Sequence, residues 1–156
     1  MNDSSKRRSC RILLVEDNPG DIRLTQEVFR DSRLDITLQV ARDGVEALDL
    51  LQAAGHSDDD PLPDLILLDL NLPRKDGREV LSEVKGSQRL RCIPVLVLTT
   101  SKADRDVMDC YERHANCYLN KPLDLDAFVS LVQIIEQFWL GTVLLPPRRS
   151  PGAGTR

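Results

Sequence analysis

The sequence predicts an α/β fold, a doubly wound parallel sheet with helices on both faces, on three observations. Five short runs are rich in Val, Ile or Leu, helix-start signals stand in the gaps between them, and the length suits one domain. With 156 residues and 41% hydrophobic side chains, the chain can build one compact core, and a second is not expected.

The first run, "RILLV" (Arg11–Val15), precedes a helix start: Asn18 as cap and Pro19 at the first helical position. In that helix Ile22, Thr25, Val28 and Phe29 share one face. After the second run, "ITLQV" (Ile36–Val40), Asp43 with Glu46 three residues on makes a capping box, and Val45, Leu48 and Leu50 or Leu51 form the apolar stripe.

The third run, "DLILLD" (Asp64–Asp69), follows the turn-rich loop "AAGHSDDDPLP" and leads into "NLPRKDG", where Pro73 and Gly77 shape the way back to the next helix. The fourth, "VLVLT" (Val95–Thr99), is followed by a second capping box, Ser101 with Asp104. After the fifth, "CYL" (Cys117–Leu119), Asp124 caps the last helix.

That helix, extending to Leu140, is more apolar than one core-facing stripe requires. Leu125, Phe128, Val129, Val132, Ile135 and Trp139 form the stripe, and Leu131, Ile134 and Phe138 form a second apolar surface beside it. A second copy of the chain docking through this face is the expectation; the competing one is that "GTVLLPP" folds back to cover it.

The net charge of -4 gives no electrostatic case for nucleic acid. Cys10, Cys92, Cys110 and Cys117 are scattered, with no C-x-x-C pair, which suggests reduced thiols in a cytoplasmic protein rather than zinc ligands or disulfides. The apolar stretch after the N-terminus, Ile12–Val15, is too short for a signal sequence or a membrane span.

In an open parallel sheet, ligands bind outside the carboxyl ends of the strands. Here strand one ends in Glu16–Asp17, strand three in Asp69, strand four in Thr99–Thr100, and strand five runs into Lys121–Pro122. Any one of these acids alone would ordinarily be a solvated cap; three with a lysine and a hydroxyl at one edge suggest a site. The carboxylates would repel unless a cation neutralised them, and oxygen ligands with room for water suit Mg2+. A carboxylate held beside a metal ion and a lysine can attack phosphorus, giving an acyl phosphate on Asp69.

"ILLVEDN", "DLILLDLNLPRKDG", "IPVLVLTTS" and "CYLNKPLD", in this order and spacing, resemble the receiver domain of two-component response regulators. The resemblance implies a flavodoxin-like receiver fold with strand order 2-1-3-4-5, over about residues 11–140, between a flexible N-terminus (1–10) and a C-terminal extension (141–156) whose distal part is disordered. It implies Asp69 as phosphoacceptor, Asp17 as a direct Mg2+ ligand, Glu16 as a ligand through water, and Asn71 as a ligand through its backbone carbonyl. Lys121 would pair with the acyl phosphate, the Lys121–Pro122 bond would be cis, and Thr99 would hydrogen-bond the phosphoryl oxygens. Tyr118 would move inward when Thr99 shifts. Thr100 departs from the small residue common in the family, and a branched side chain there could slow attacking water.

The extension "FWLGTVLLPP", "VEDNPGDIRLTQEVF" and the long loop before strand three resemble the response regulators of bacterial phytochromes. That subgroup implies a stand-alone homodimer, a light-sensing histidine kinase as donor, and a downstream protein or phosphotransfer partner; no DNA-binding output segment is expected. Two rival readings remain at this level: a receiver-like binding module that is not phosphorylated, and an Asp-nucleophile phosphohydrolase. The latter wants a second acid two residues after the nucleophile, where this chain has Asn71.

Overall fold

A computed structural model describes residues 9–148. The expected flexible segment 1–10 and disordered distal tail therefore fall largely outside the described residues; Cys10 already pairs in the sheet. The elements are β1 (Cys10–Val15), α1 (Pro19–Arg30), β2 (Ile36–Ala41), α2 (Gly44–Ala53), β3 (Leu65–Leu68), α3 (Gly77–Gly86), β4 (Val95–Thr99), α4 (Asp104–Glu112), β5 (Cys117–Asn120) and α5 (Leu125–Ile135). A π-type turn over Glu136–Leu140 prolongs α5. The five strands are all parallel, in the order β2-β1-β3-β4-β5.

Strand alternation explains why the central runs are apolar throughout. Leu65 and Leu67 of β3 face a cluster built with Ile22 and Phe29 of α1 and Phe128, Val132 and Ile135 of α5. Ile66 and Leu68 face the opposite cluster, with Ala47, Leu48 and Leu51 of α2 and Val80, Leu81 and Val84 of α3. β3 is thus sandwiched, and only its two ends can carry polar groups: Asp64 and Asp69 flank the strand rather than belonging to it.

The caps expected at Asn18, Asp43 and Asp124 form, accepting from the backbone N–H of Asp21, Glu46 and Ala127. The Ser101–Asp104 box does not. Ala103 occupies the cap position of α4 without a side-chain bond, because the Ser101 hydroxyl donates to Asp106 instead. Leu125 is also corrected: it lies in the first turn of α5, beyond the sheet it was expected to cover, and is 65% exposed. Among the described residues every peptide bond is trans, Lys121–Pro122 included, which is the intrinsic preference even before proline.

On the second face of α5, Leu131 packs against the core, whereas Ile134 and Phe138 stay more than half exposed. Residues 141–148 do not cover them. That segment runs instead to the amino-terminal edge of the sheet, where Arg148 pairs with Asp64 and reaches the Ser9 carbonyl. Among the described residues no helix is long and apolar enough to cross a membrane.

Candidate functional site

The carboxyl edge of the sheet assembles the site from backbone pairing. The Asp69 N–H donates to the Val15 carbonyl at 3.0 Å, which sets Asp69 beside the β1 exit, where Glu16 and Asp17 follow. The Lys121 N–H donates to the Thr99 carbonyl at 2.7 Å, so the β5 exit arrives at the end of β4. Behind Asp69 the chain must turn tightly. A Cβ on Gly77 would sit 2.1 Å from the Asp69 carbonyl oxygen, so only glycine lets α3 begin this close beneath the carboxylate.

Carboxylate oxygens of Glu16, Asp17 and Asp69 lie within 4.8 Å of one another. Glu16 and Asp69 are buried and Asp17 is exposed. Among the described residues the only basic side chain in ion-pair contact with them is Lys121, itself buried. Its ammonium donates to Glu16 Oε2 at 2.6 Å and Asp69 Oδ2 at 3.4 Å, and it pairs with Asp21 Oδ2 at 2.9 Å.

This edge therefore carries acids in excess of cations. Burial pushes the Glu16 carboxyl up to about 7, with the Asp69 charge adding to the shift and the Lys121 hydrogen bond opposing it. For Lys121, burial works against the charged form, but the Glu16 hydrogen bond and charge, Asp21 and Asp69 outweigh it, leaving the ammonium more basic than usual. A clustered, all-oxygen donor set with one exposed member and surplus negative charge fits a divalent cation of the hard, oxygen-loving kind.

Thr99 Oγ1 is fully buried and, among the described residues, is the one buried side-chain polar atom with no hydrogen-bond partner. Such an orphan costs about 1–3 kcal/mol, so its retention points to a ligand oxygen that it is built to meet. Thr100 is exposed beside it. Asn71 is exposed, and its N–H approaches Asp69 Oδ1 at 3.4 Å. Tyr118 is half-buried against the α2–α4 side of the core, and its hydroxyl donates to the Ser101 carbonyl at 2.8 Å, tying β5 to the loop just after Thr99.

Asp21 escaped the sequence reading. It sits in the first turn of α1, and the signal that could have found it is an acid immediately inside a capped helix whose start directly follows Glu16–Asp17.

A 2-1-3-4-5 parallel sheet with clustered acids and a lysine at its carboxyl edge is the architecture expected of a phosphoacceptor switch. The chain belongs to the response regulator receiver domain family, whose model matches residues 12–133. It is 54% identical over 135 residues to the response regulator Rcp1 of Synechocystis sp. (strain ATCC 27184 / PCC 6803 / Kazusa), covering 86% of this chain and 92% of the relative. The crystal structure of the Mn(2+)-bound form of Rcp1 matches with a TM-score of 0.83 at 53% identity, over 88% of this chain and 99% of that one. The phosphorylated cyanobacterial phytochrome response regulator RcpA matches with a TM-score of 0.84 at 47% identity, over 89% and 99%. FilR2 of Methanothrix harundinacea (strain 6Ac), a probable methanogenesis regulatory protein, is 44% identical over 144 residues, 90% of this chain and 87% of the relative. The chain is thus a receiver-domain response regulator related to those of phytochromes.

Proposed function

We propose that this protein accepts a phosphoryl group from a histidine kinase on Asp69, with Mg2+, and passes the signal on by protein contact or onward phosphotransfer. The observation that carries this reading is the convergence of Asp69, Glu16, Asp17 and Lys121 at one sheet edge, with the orphaned Thr99 hydroxyl on the adjoining strand.

In the step proposed, a carboxylate oxygen of Asp69 forms a bond to phosphorus as the bond from phosphorus to the donor imidazole nitrogen breaks, the electron pair leaving with that nitrogen. Asp17 and Asp69 would hold the ion directly with the Asn71 backbone carbonyl, and Glu16 would hold it through water; when bound, the ion would neutralise phosphoryl charge. Lys121 pairs with one phosphoryl oxygen, and Thr99 donates its hydroxyl to another. Water attacking the phosphorus later restores the carboxylate. Movement of Thr99 is passed to Tyr118 through Ser101, whose carbonyl already holds the tyrosine hydroxyl.

A phytochrome-type, light-sensing kinase is the proposed donor, supported by the similarity to RcpA. A homodimer through the last helix and the C-terminal extension is proposed on the open Ile134 and Phe138. Ile134→Asp should shift the sedimenting species to monomer; a monomeric wild type would remove that part of the proposal.

Incubation with Mg2+ and acetyl phosphate tests the main reading. One acid-stable, hydroxylamine-labile phosphoryl group per chain, absent in Asp69→Asn, is expected. Rapid turnover of many phosphate esters would favour a hydrolase, and no label a binding module.

A further inference from the structure

The Lys121 ammonium has three N–H donors and three carboxylates around it, and the spacing is uneven. Glu16 Oε2 accepts from the ammonium at 2.6 Å and Asp21 Oδ2 pairs with it at 2.9 Å, whereas the hydrogen bond to Asp69 Oδ2 is the longest of the three contacts, at 3.4 Å. The lysine that reaches toward the proposed nucleophile is therefore drawn off it, toward α1 and the β1 exit. Glu16 belongs to the acidic cluster. Asp21 does not; its side chain is 22% exposed, and its contact with Lys121 is the one ion pair it makes among the described residues.

We propose that Asp21 is a positioning residue that parks Lys121 in a resting place away from Asp69 and competes with the phosphoryl group for it. The inference rests on the phosphoacceptor reading above. Its logic is linkage: a contact that stabilises the arrangement with Lys121 turned toward α1 weakens whatever requires Lys121 at Asp69, by as much as it favours the resting arrangement. Parking also leaves Asp69 Oδ2 only loosely held, at 3.4 Å, since a carboxylate tightly bonded to an ammonium is a poorer nucleophile. Asp21 thus trades strength of phosphoryl binding for an open acceptor and a shorter-lived signal.

The test is the affinity for beryllofluoride, a phosphoryl mimic, measured with Mg2+ by fluorine NMR on the intact chain. Asp21→Asn keeps the backbone bond to Asn18 and the start of α1, and circular dichroism checks that it folds. It should bind beryllofluoride about fivefold more tightly than wild type, the scale of one part-exposed ion pair. In a Lys121→Met background the same substitution should change the affinity little, because Asp21 acts through the lysine. Equal or weaker binding by Asp21→Asn overturns the proposal, as does a gain that persists without Lys121. Failure of the wild type itself to bind beryllofluoride, with Asp69→Asn indistinguishable from it, would instead overturn the phosphoacceptor reading and the proposal with it.

Discussion

The two ends of β3 carry the same side chain in opposite circumstances. At the amino end, Asp64 is 2% exposed and fully accommodated: Arg148 grips it with two nitrogens at 2.8 and 3.3 Å, and the Arg11 N–H donates to it at 2.9 Å. At the carboxyl end, Asp69 is buried to a similar degree but meets two further acids and one ammonium, shared with Glu16, at 3.4 Å. Four apolar residues separate them. A buried acid matched by its own cation is part of the fold; a buried acid in a surplus of acids is held there at a cost in stability, which a function explains.

Stability should separate the two ends most strongly. Asp64→Ala strands the Arg11 N–H and unpairs Arg148, and should lower unfolding free energy by about 2–3 kcal/mol in urea titrations. Asp69→Asn removes one charge from the crowded edge and should raise it by about 1 kcal/mol without Mg2+. If both substitutions destabilise equally, the contrast fails.

A smaller effect sharpens it through pH. Glu16, with a folded value near 7 against an ordinary 4.5, is protonated more readily in the folded chain than in the unfolded one. Its contribution to stability is therefore fully present below pH 4.5 and is lost as pH rises to 7. Metal binding runs the other way, because it needs the ionised carboxylate. Mg2+ affinity should weaken as pH falls from 7 toward 5, by at most about tenfold per unit, and this dependence should flatten in Glu16→Gln. The Asp64 end should show nothing comparable.

The contrast was only half legible in the sequence. Strand positions and the carboxyl-edge residues could be read because a sandwiched parallel strand is apolar throughout, so the first acid after it marks the edge. The helix caps at Asn18, Asp43 and Asp124 are local and were readable for that reason. What escaped depends on distant approach. Arg148 lies 84 residues from Asp64, so Asp64 read as an ordinary strand start, and Asp21 reaches Lys121 only because α1 lies beside the β5 exit. Ser101 misled because its hydroxyl had two possible acceptors, and the long-range tie of Arg78 to Asp106 at 2.8 Å holds that acid where Ser101 donates to it. Leu125 misled because periodicity assigns a face but not where the sheet beneath it ends.

Of the acids at this edge and at the far end of β3, Asp69 alone is proposed to take the phosphoryl group. Treating the acetyl phosphate-labelled protein with borohydride reduces an acyl phosphate to an alcohol, and peptide mass mapping then locates the altered side chain. A single altered residue, at position 69, is expected. An alteration at Asp17, Glu16 or Asp64 in its place, or none at all in a protein that carries label, would contradict it.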